Sequence, residues 1–280
     1  MDRDTYRKQS LDTWGEMAPG WEDRREWLMA MTHPVSDWLL GKLDPQAGQT
    51  VLELAAGTGD LGFRVAELIG QLGRVVSTDF APEMVKVARH QGEARGLTNV
   101  EYRVLDAESM DIDDDTVDGV VCRFAYMLMS DPAVALMETR RVLRSGGPLA
   151  FAVFTAPEDN PWGAVPGMTL VQRGHMPAPE PGTPGIFAMA DPDRIRELVT
   201  DAGFGEPELQ EVTLEFPFRD FDEFWDFLVR LAGVLAQVIN ALPEDERTAT
   251  RAAVMANAEP YRNEDGSYTF PASAWCVLAR

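Results

Sequence analysis

The chain has few of the residues that build metal and redox centres. Two cysteines and three histidines stand among 280 residues. Cys122 and Cys276 each fall inside an apolar, strand-like run, and the histidines are scattered. Neither set has metal-ligand spacing, so no metal site is expected, and the two thiols read as buried packing groups rather than a bridge. Long apolar runs are missing too. Nothing approaches the roughly eighteen consecutive apolar residues of a membrane span, and the opening MDRDTYRKQS has no apolar signal-peptide core. The expected location is cytoplasmic. Basic residues are scarce: 25 Lys and Arg stand against 46 Asp and Glu, a net charge of −21. A phosphate backbone or an anionic membrane surface would be repelled on average, so neither is an expected partner. The cluster Arg140, Arg141 and Arg144 reads as a solvated helix face. The acidic run Asp111, Asp113, Asp114, Asp115 and Asp118 lacks the glycine and terminal glutamate of a calcium loop and reads as a solvated turn.

What is present suffices for a sizeable core, at 45% hydrophobic residues. No internal repeat occurs. Residues 3–30 are polar and aromatic, with Trp14, Trp21 and Trp27 among charges, and predict helices broken at Pro19-Gly20. Pro34 is expected to open a further helix, which Asp44-Pro45 ends. From residue 50 to Phe154 strand and helix patterns alternate, implying a parallel sheet covered on both faces. Residues 155–190 are rich in proline, including Pro177, Pro179, Pro181 and Pro184, and predict a long connection with a short helix at 165–172. A helix restarts at Asp191-Pro192 and a strand runs over 209–216. Residues 220–258 read as helical, with an apolar stripe from Phe221 to Leu242 and a second helix from Pro243. Tyr268 to Leu278 predicts a closing strand.

One stretch organises the rest. VLELAAGTGDLGFRVAELI, residues 51–69, reads as a buried strand, a glycine turn and a helix. Gly57, Gly59 and Gly62 satisfy G-x-G-x-x-G, and Asp79 follows about twenty residues on, as at a dinucleotide site. Glu53 is discordant with that reading. A carboxylate just before the turn repels a pyrophosphate and attracts a cationic ligand. S-adenosylmethionine (SAM), with its sulfonium and ammonium groups, fits an acid there followed by a glycine turn and an acid at the next strand.

On these residues the chain resembles the class I SAM-dependent methyltransferases, in particular the UbiE-type branch and the small-molecule methyltransferases around it. The resemblance implies a Rossmann-like α/β fold. It would have a mostly parallel seven-stranded sheet, an antiparallel last strand, helices on both faces and a mainly helical cap. The division expected is an N-terminal helical lid over 1–45, a SAM-binding core over 46–216 and 264–280 with the 155–190 connection over the active site, and a helical cap and substrate-binding insertion over 217–263. The resemblance implies methyl transfer from SAM, leaving S-adenosylhomocysteine (SAH), to an O, N or C atom of a small, partly apolar molecule. Backbone from Ala55 through Gly57 and Thr58 to Gly59 is expected near the methionine part, with Glu53 attracting its cation directly or through water. Asp79 is expected on the ribose hydroxyls, Phe80 and Met84 against the adenine face, and Asp106 and Ala107 on the adenine edge, with Glu108 beside them. Arg123 and Phe124 are expected at the methyl group, the Arg123 side chain turned away, and Trp14 and Trp21 as an aromatic lid with Trp21 touching SAM. His33 and His175 are the candidates for a general base. The rival readings are a nicotinamide-dependent oxidoreductase and a non-catalytic SAM-binding protein.

Overall fold

The computed structural model describes residues 2–180 and 182–280. Pro181, counted in the proline-rich connection, lies outside the described residues. The chain opens with two long helices, α1 (Arg3–Asp23) and α2 (Arg25–Leu43). Neither proline acts as expected. Pro19 lies inside α1 and Pro34 inside α2. A helix-interior proline costs about 3 kcal/mol, and packing overrides it here. Around Pro19, Ala18 and Gly20 are buried, and a Cβ on Gly20 would stand 2.9 Å from the Arg230 carbonyl oxygen, so α1 rests directly on another helix backbone. Around Pro34, Val35 and Leu39 are fully buried.

The alternation that follows builds one sheet. Its parallel part comprises β1 (Thr50–Leu54), β2 (Arg74–Asp79), β3 (Val100–Val104), β4 (Gly119–Arg123) and β5 (Leu149–Phe154). Helices α3 (Asp60–Ile69), α4 (Pro82–Ala94) and α5 (Pro132–Val142) connect these strands. Asp131 caps α5 as expected, accepting from the N–H groups of Ala133 and Val134. The proline-rich connection carries α6 (Pro161–Gln172), one turn longer than its expected helix, and α7 (Pro192–Asp201) precedes β6 (Glu208–Phe218). The strand order is β3-β2-β1-β4-β5-β7-β6, where β7 (Tyr268–Ala279) closes the sheet antiparallel to both β5 and β6. The order reverses between β1 and β4, and in open α/β sheets ligands bind in the crevice beyond the strand ends at such a point.

The segment expected as one helix after residue 220 is two. Helix α8 (Phe221–Leu231) and α9 (Val234–Ala241) meet at 100°, where Gly233 adopts φ +56°. Then α10 (Glu244–Ala258) follows. Phe224, Leu228 and Ile239 are fully buried in the same apolar cluster as β4 and β5. Among the described residues no single helix is long and apolar enough to cross a membrane.

Candidate active site

Past the end of β1 the backbone takes positive φ at Ala55 (50°), Gly57 (56°) and Gly59 (83°). The conformation at Ala55 costs a non-glycine residue about 1 kcal/mol. It is held by hydrogen bonds from Ala56 N–H to the Thr78 carbonyl (2.8 Å) and from Gly57 N–H to Asp79 Oδ2 (2.9 Å). A Cβ on Gly59 would meet the Phe63 ring at 2.7 Å, and one on Gly62 would lie 2.2 Å from Glu53 Oε2. At Gly57 a Cβ would meet only the Trp21 ring, at 3.8 Å. There glycine is set by the backbone turn, with an indole laid over it.

Glu53 is tucked beneath this turn. Its Oε1 accepts from Gly62 N–H (2.8 Å) and its Oε2 from the Ser77 hydroxyl (2.8 Å). Burial raises its pKa to about 7, against the lowering effect of Ser77, the Gly62 N–H and the Arg123 charge. The residue reaches the cavity wall, but both carboxylate oxygens are committed to protein donors. Its direct role is therefore to latch α3 to β1 and β2, and attraction for a cation is a longer-range effect of the same charge.

Asp79 ends β2. Its Oδ2 holds Gly57 N–H and its Oδ1 holds Ala81 N–H at 2.9 Å, so one carboxylate ties the glycine turn to the start of α4. Burial pushes it up to about 6, against the lowering effect of these backbone donors. At the end of β3, Asp106 and Glu108 are both paired with Arg7 of α1. Glu108 also accepts from the Ser130 N–H (2.8 Å) and hydroxyl (2.6 Å), binding the loops after β3 and β4 together. Arg123 ends β4 and extends toward α2 at the cavity wall, donating to Thr32 Oγ1 and Ser36 Oγ at 2.8 Å each. Phe124 follows at φ +61°, its ring stacked on Phe154 at 4.3 Å.

These groups surround one cavity over the sheet's switch point. Glu53, Ala55, Gly57, Asp79, Phe80 and Met84 line it from the first two strands. Asp106, Ala107, Glu108, Arg123 and Phe124 line it from the next two, and Trp21 closes over them. Two expected residues do not line it. Gly59 faces Phe63 and Ala88, and Thr58 is buried with its hydroxyl on Asp60 (2.7 Å). Their place in the turn does not bring their side faces to the crevice. Neither histidine reaches it. His33 stands exposed on α2 beside Asp37 (3.1 Å). His175 lies after α6, 3.3 Å from Glu246 of α10.

The N-terminal helices contribute more than was read from sequence. Beside Trp14 and Trp21, the residues Tyr6, Arg7, Ser10, Leu28 and Thr32 also line the cavity. The signal was available as spacing: residues 7, 14 and 21 recur every seven positions and 6, 10 and 14 every four on α1, and Leu28 and Thr32 stand four apart on α2. By contrast, among the described residues none from 155–190 or 217–263 lines it. Those segments support the wall from behind, Trp162 packing on Phe154 and the Leu231 carbonyl accepting from the Trp21 indole N–H at 3.2 Å.

The backbone cradle at Ala55–Gly57, the buried Asp79 carboxylate without a cationic partner, and the apolar far wall suit a nucleoside carrying an amino-acid arm. Comparison with known proteins agrees. Residues 37–164 match the model of the ubiE/COQ5 methyltransferase family. The ubiquinone/menaquinone biosynthesis C-methyltransferase UbiE of Escherichia coli O1:K1 is 32% identical over 176 residues, covering 59% of this chain and 70% of that protein. Protein BH2331 of Bacillus halodurans C-125 has a similar fold, at a TM-score of 0.61 and 22% identity, over 88% of this chain and 97% of that one. Phosphoethanolamine N-methyltransferase 2 of Haemonchus contortus, solved with SAM, superposes with a TM-score of 0.53 and 14% identity, over 88% of this chain and 52% of that one. The glycine turn, its two buried acids and the relationship in sequence converge on one assignment: the chain belongs to the ubiE/COQ5 methyltransferase family and is a class I SAM-dependent methyltransferase acting on a small molecule.

Proposed function

We propose that the cavity holds SAM along the ends of β1 to β4 and that the methyl group passes to an O, N or C atom of a small, partly apolar acceptor. The observation that carries this reading is Asp79. It is a buried carboxylate fixed by two backbone N–H groups, facing a cavity with no cation set against it. Each of its oxygens keeps a lone pair, so together they suit a pair of ribose hydroxyls. Ala107 with Asp106 would read the adenine edge, Phe80 and Met84 would pack on its face, and the turn at Ala55–Gly57 would hold the methionine arm. Leu28, Phe124, Leu128 and Met129 offer apolar surface for the acceptor.

Bound SAM supplies an electrophilic methyl group on a sulfonium. The chain's part is to bind, align and exclude water. No free base lines the cavity among the described residues. Glu53 and Asp79 hold backbone and hydroxyl donors, and Asp106 and Glu108 are paired with Arg7. Tyr6 donates to the Leu128 carbonyl (2.7 Å), and burial pushes it up to about 12. The favoured acceptor therefore brings its nucleophile ready: an amine lone pair, a phenolate or an enolic carbon. The N-terminal helices act as the lid, and 217–263 braces it through Leu231.

Titration calorimetry with SAM, SAH and NADH tests the reading, followed by mass spectrometry of acceptor panels for a gain of one methylene. The expected result is binding of SAM and SAH but not NADH, with methylated product from at least one nucleophile class. No binding of either SAM or SAH would refute it. Tight binding without turnover on any class would leave a SAM-binding protein.

A further inference from the structure

Arg123 is a half-buried cation with no carboxylate in ion-pair contact among the described residues. The other arginines of the cavity region have carboxylates: Arg7 pairs with Asp106 and Glu108, and Arg25 with Asp60. Arg123 makes no ion pair among the described residues. Both hydrogens of its Nη1 are satisfied by Thr32 Oγ1 and Ser36 Oγ. Those hydroxyls spend their own hydrogens on the carbonyls of Leu28 (2.8 Å) and Thr32 (3.1 Å), so toward the arginine they can only accept. This grips one arm of the guanidinium and sets its plane. The other arm has only the Met29 sulfur, 3.7 Å from both Nη1 and Nη2, and Nε has no partner. Three N–H donors are thus left without an oxygen, on a half-buried side chain of the cavity lining.

A charge partly withdrawn from solvent and held only by neutral groups gains from a counter-charge that reaches its open edge. The free edge of a guanidinium matches a carboxylate bidentately. Glu53 acts on the arginine only at longer range: it makes no ion pair with it, and its two oxygens face Gly62 and Ser77. We infer that Arg123 is the docking point for a carboxylate brought into the cavity by a ligand. The inference rests on the methyltransferase reading. Two ligands of that reaction could carry the group, the amino-acid arm of the cofactor and an acidic acceptor, and both present the same chemistry to the arginine.

The test compares ligands differing only in that group. SAH and decarboxylated SAH are titrated into wild type and Arg123→Met. Then 2-naphthoate and 2-naphthamide are titrated into each protein saturated with SAH. Arg123→Gln keeps donors for Thr32 and Ser36 and replaces the methionine variant should that one not fold. If the cofactor supplies the carboxylate, wild type prefers SAH over its decarboxylated form by at least about tenfold, and the variant abolishes the preference. If the acceptor supplies it, SAH affinity is unchanged in the variant. Naphthoate then binds wild type at least about tenfold tighter than the amide, and the variant erases that difference. Affinities within about twofold across both pairs, with nucleoside binding intact, overturn the role of Arg123 and leave the methyltransferase reading standing. No binding of either nucleoside to wild type rejects both.

Discussion

The carboxyl of Glu53 offers a direct measurement of how dry the crevice floor is. It is fully enclosed, and its pKa stands at about 7 against an ordinary 4.5. The folded state thus holds this proton more tightly than the unfolded chain does. The sign follows: the associated stability is fully present below pH 4.5 and is lost as pH rises through about 7. A shift of this size corresponds to about 3 kcal/mol. Glu53→Gln removes the titration while keeping an oxygen for Gly62 N–H and an amide hydrogen for Ser77 Oγ. Asp79 is displaced in the same direction, to about 6, and the acidic surface adds its own repulsion. Both are common to the two proteins and cancel in the difference. Urea unfolding at about pH 4.5 and about pH 8 should therefore show wild type losing about 1–3 kcal/mol more than Glu53→Gln, the lower end allowing for water entering the crevice. Parallel pH dependences would refute the reasoning, because they would mean that Glu53 titrates as a solvated acid.

Two further outcomes are expected. Asp79→Ala should weaken SAH binding by at least about tenfold in calorimetry while circular dichroism stays unchanged, since the carboxylate that faces the cavity and accepts from the Gly57 and Ala81 N–H groups is removed. Gly62→Ala should destabilise by about 2–4 kcal/mol in urea unfolding, despite the roughly 1 kcal/mol that alanine ordinarily gains in a helix. The new methyl would clash with Glu53 Oε2, and the displaced carboxylate would give up its bonds to Gly62 N–H and Ser77.

The alternation of strands and helices was legible because each apolar run between residues 51 and 154 is bounded by its own punctuation. Gly57, Pro82, Pro132 and Gly147 stand within a few residues of the element ends. Proline misled where a longer packing interest opposed it, as at Pro19 and Pro34, whose neighbours are buried deeply enough to outweigh the local penalty. The break at Gly233 was invisible for the opposite reason: the apolar stripe runs through it, and only the backbone angle reveals the turn. The identity of the site acids was readable, but their partners were not. Glu53 finds Gly62 nine residues on and Ser77 on the adjoining strand, contacts fixed by sheet register and helix placement rather than by any local pattern. Arg7 was hidden more fully, since a lone arginine in a polar helix carries no sign of the two carboxylates it meets a hundred positions later.

Two buried acids and one half-buried arginine surround the turn, and each is handled differently. Glu53 is satisfied by protein donors and acts within the fold. Asp79 is half-satisfied, bound to the backbone on one side and open on the other. Arg123 is gripped at one nitrogen and open at the rest. A scaffold selected for stability alone would favour apolar groups of similar volume at all three positions, because pairing rarely recovers the full cost of dehydrating an ion. The fold instead keeps two of them incomplete, of opposite sign, on one crevice at the ends of β2 and β4. A zwitterionic ligand that carries neutral hydroxyls at one end and a carboxylate at the other would relieve both at once. The preorganisation that lowers the apo protein's stability is then the same feature that orients the ligand, and variants that neutralise either charge trade binding for stability.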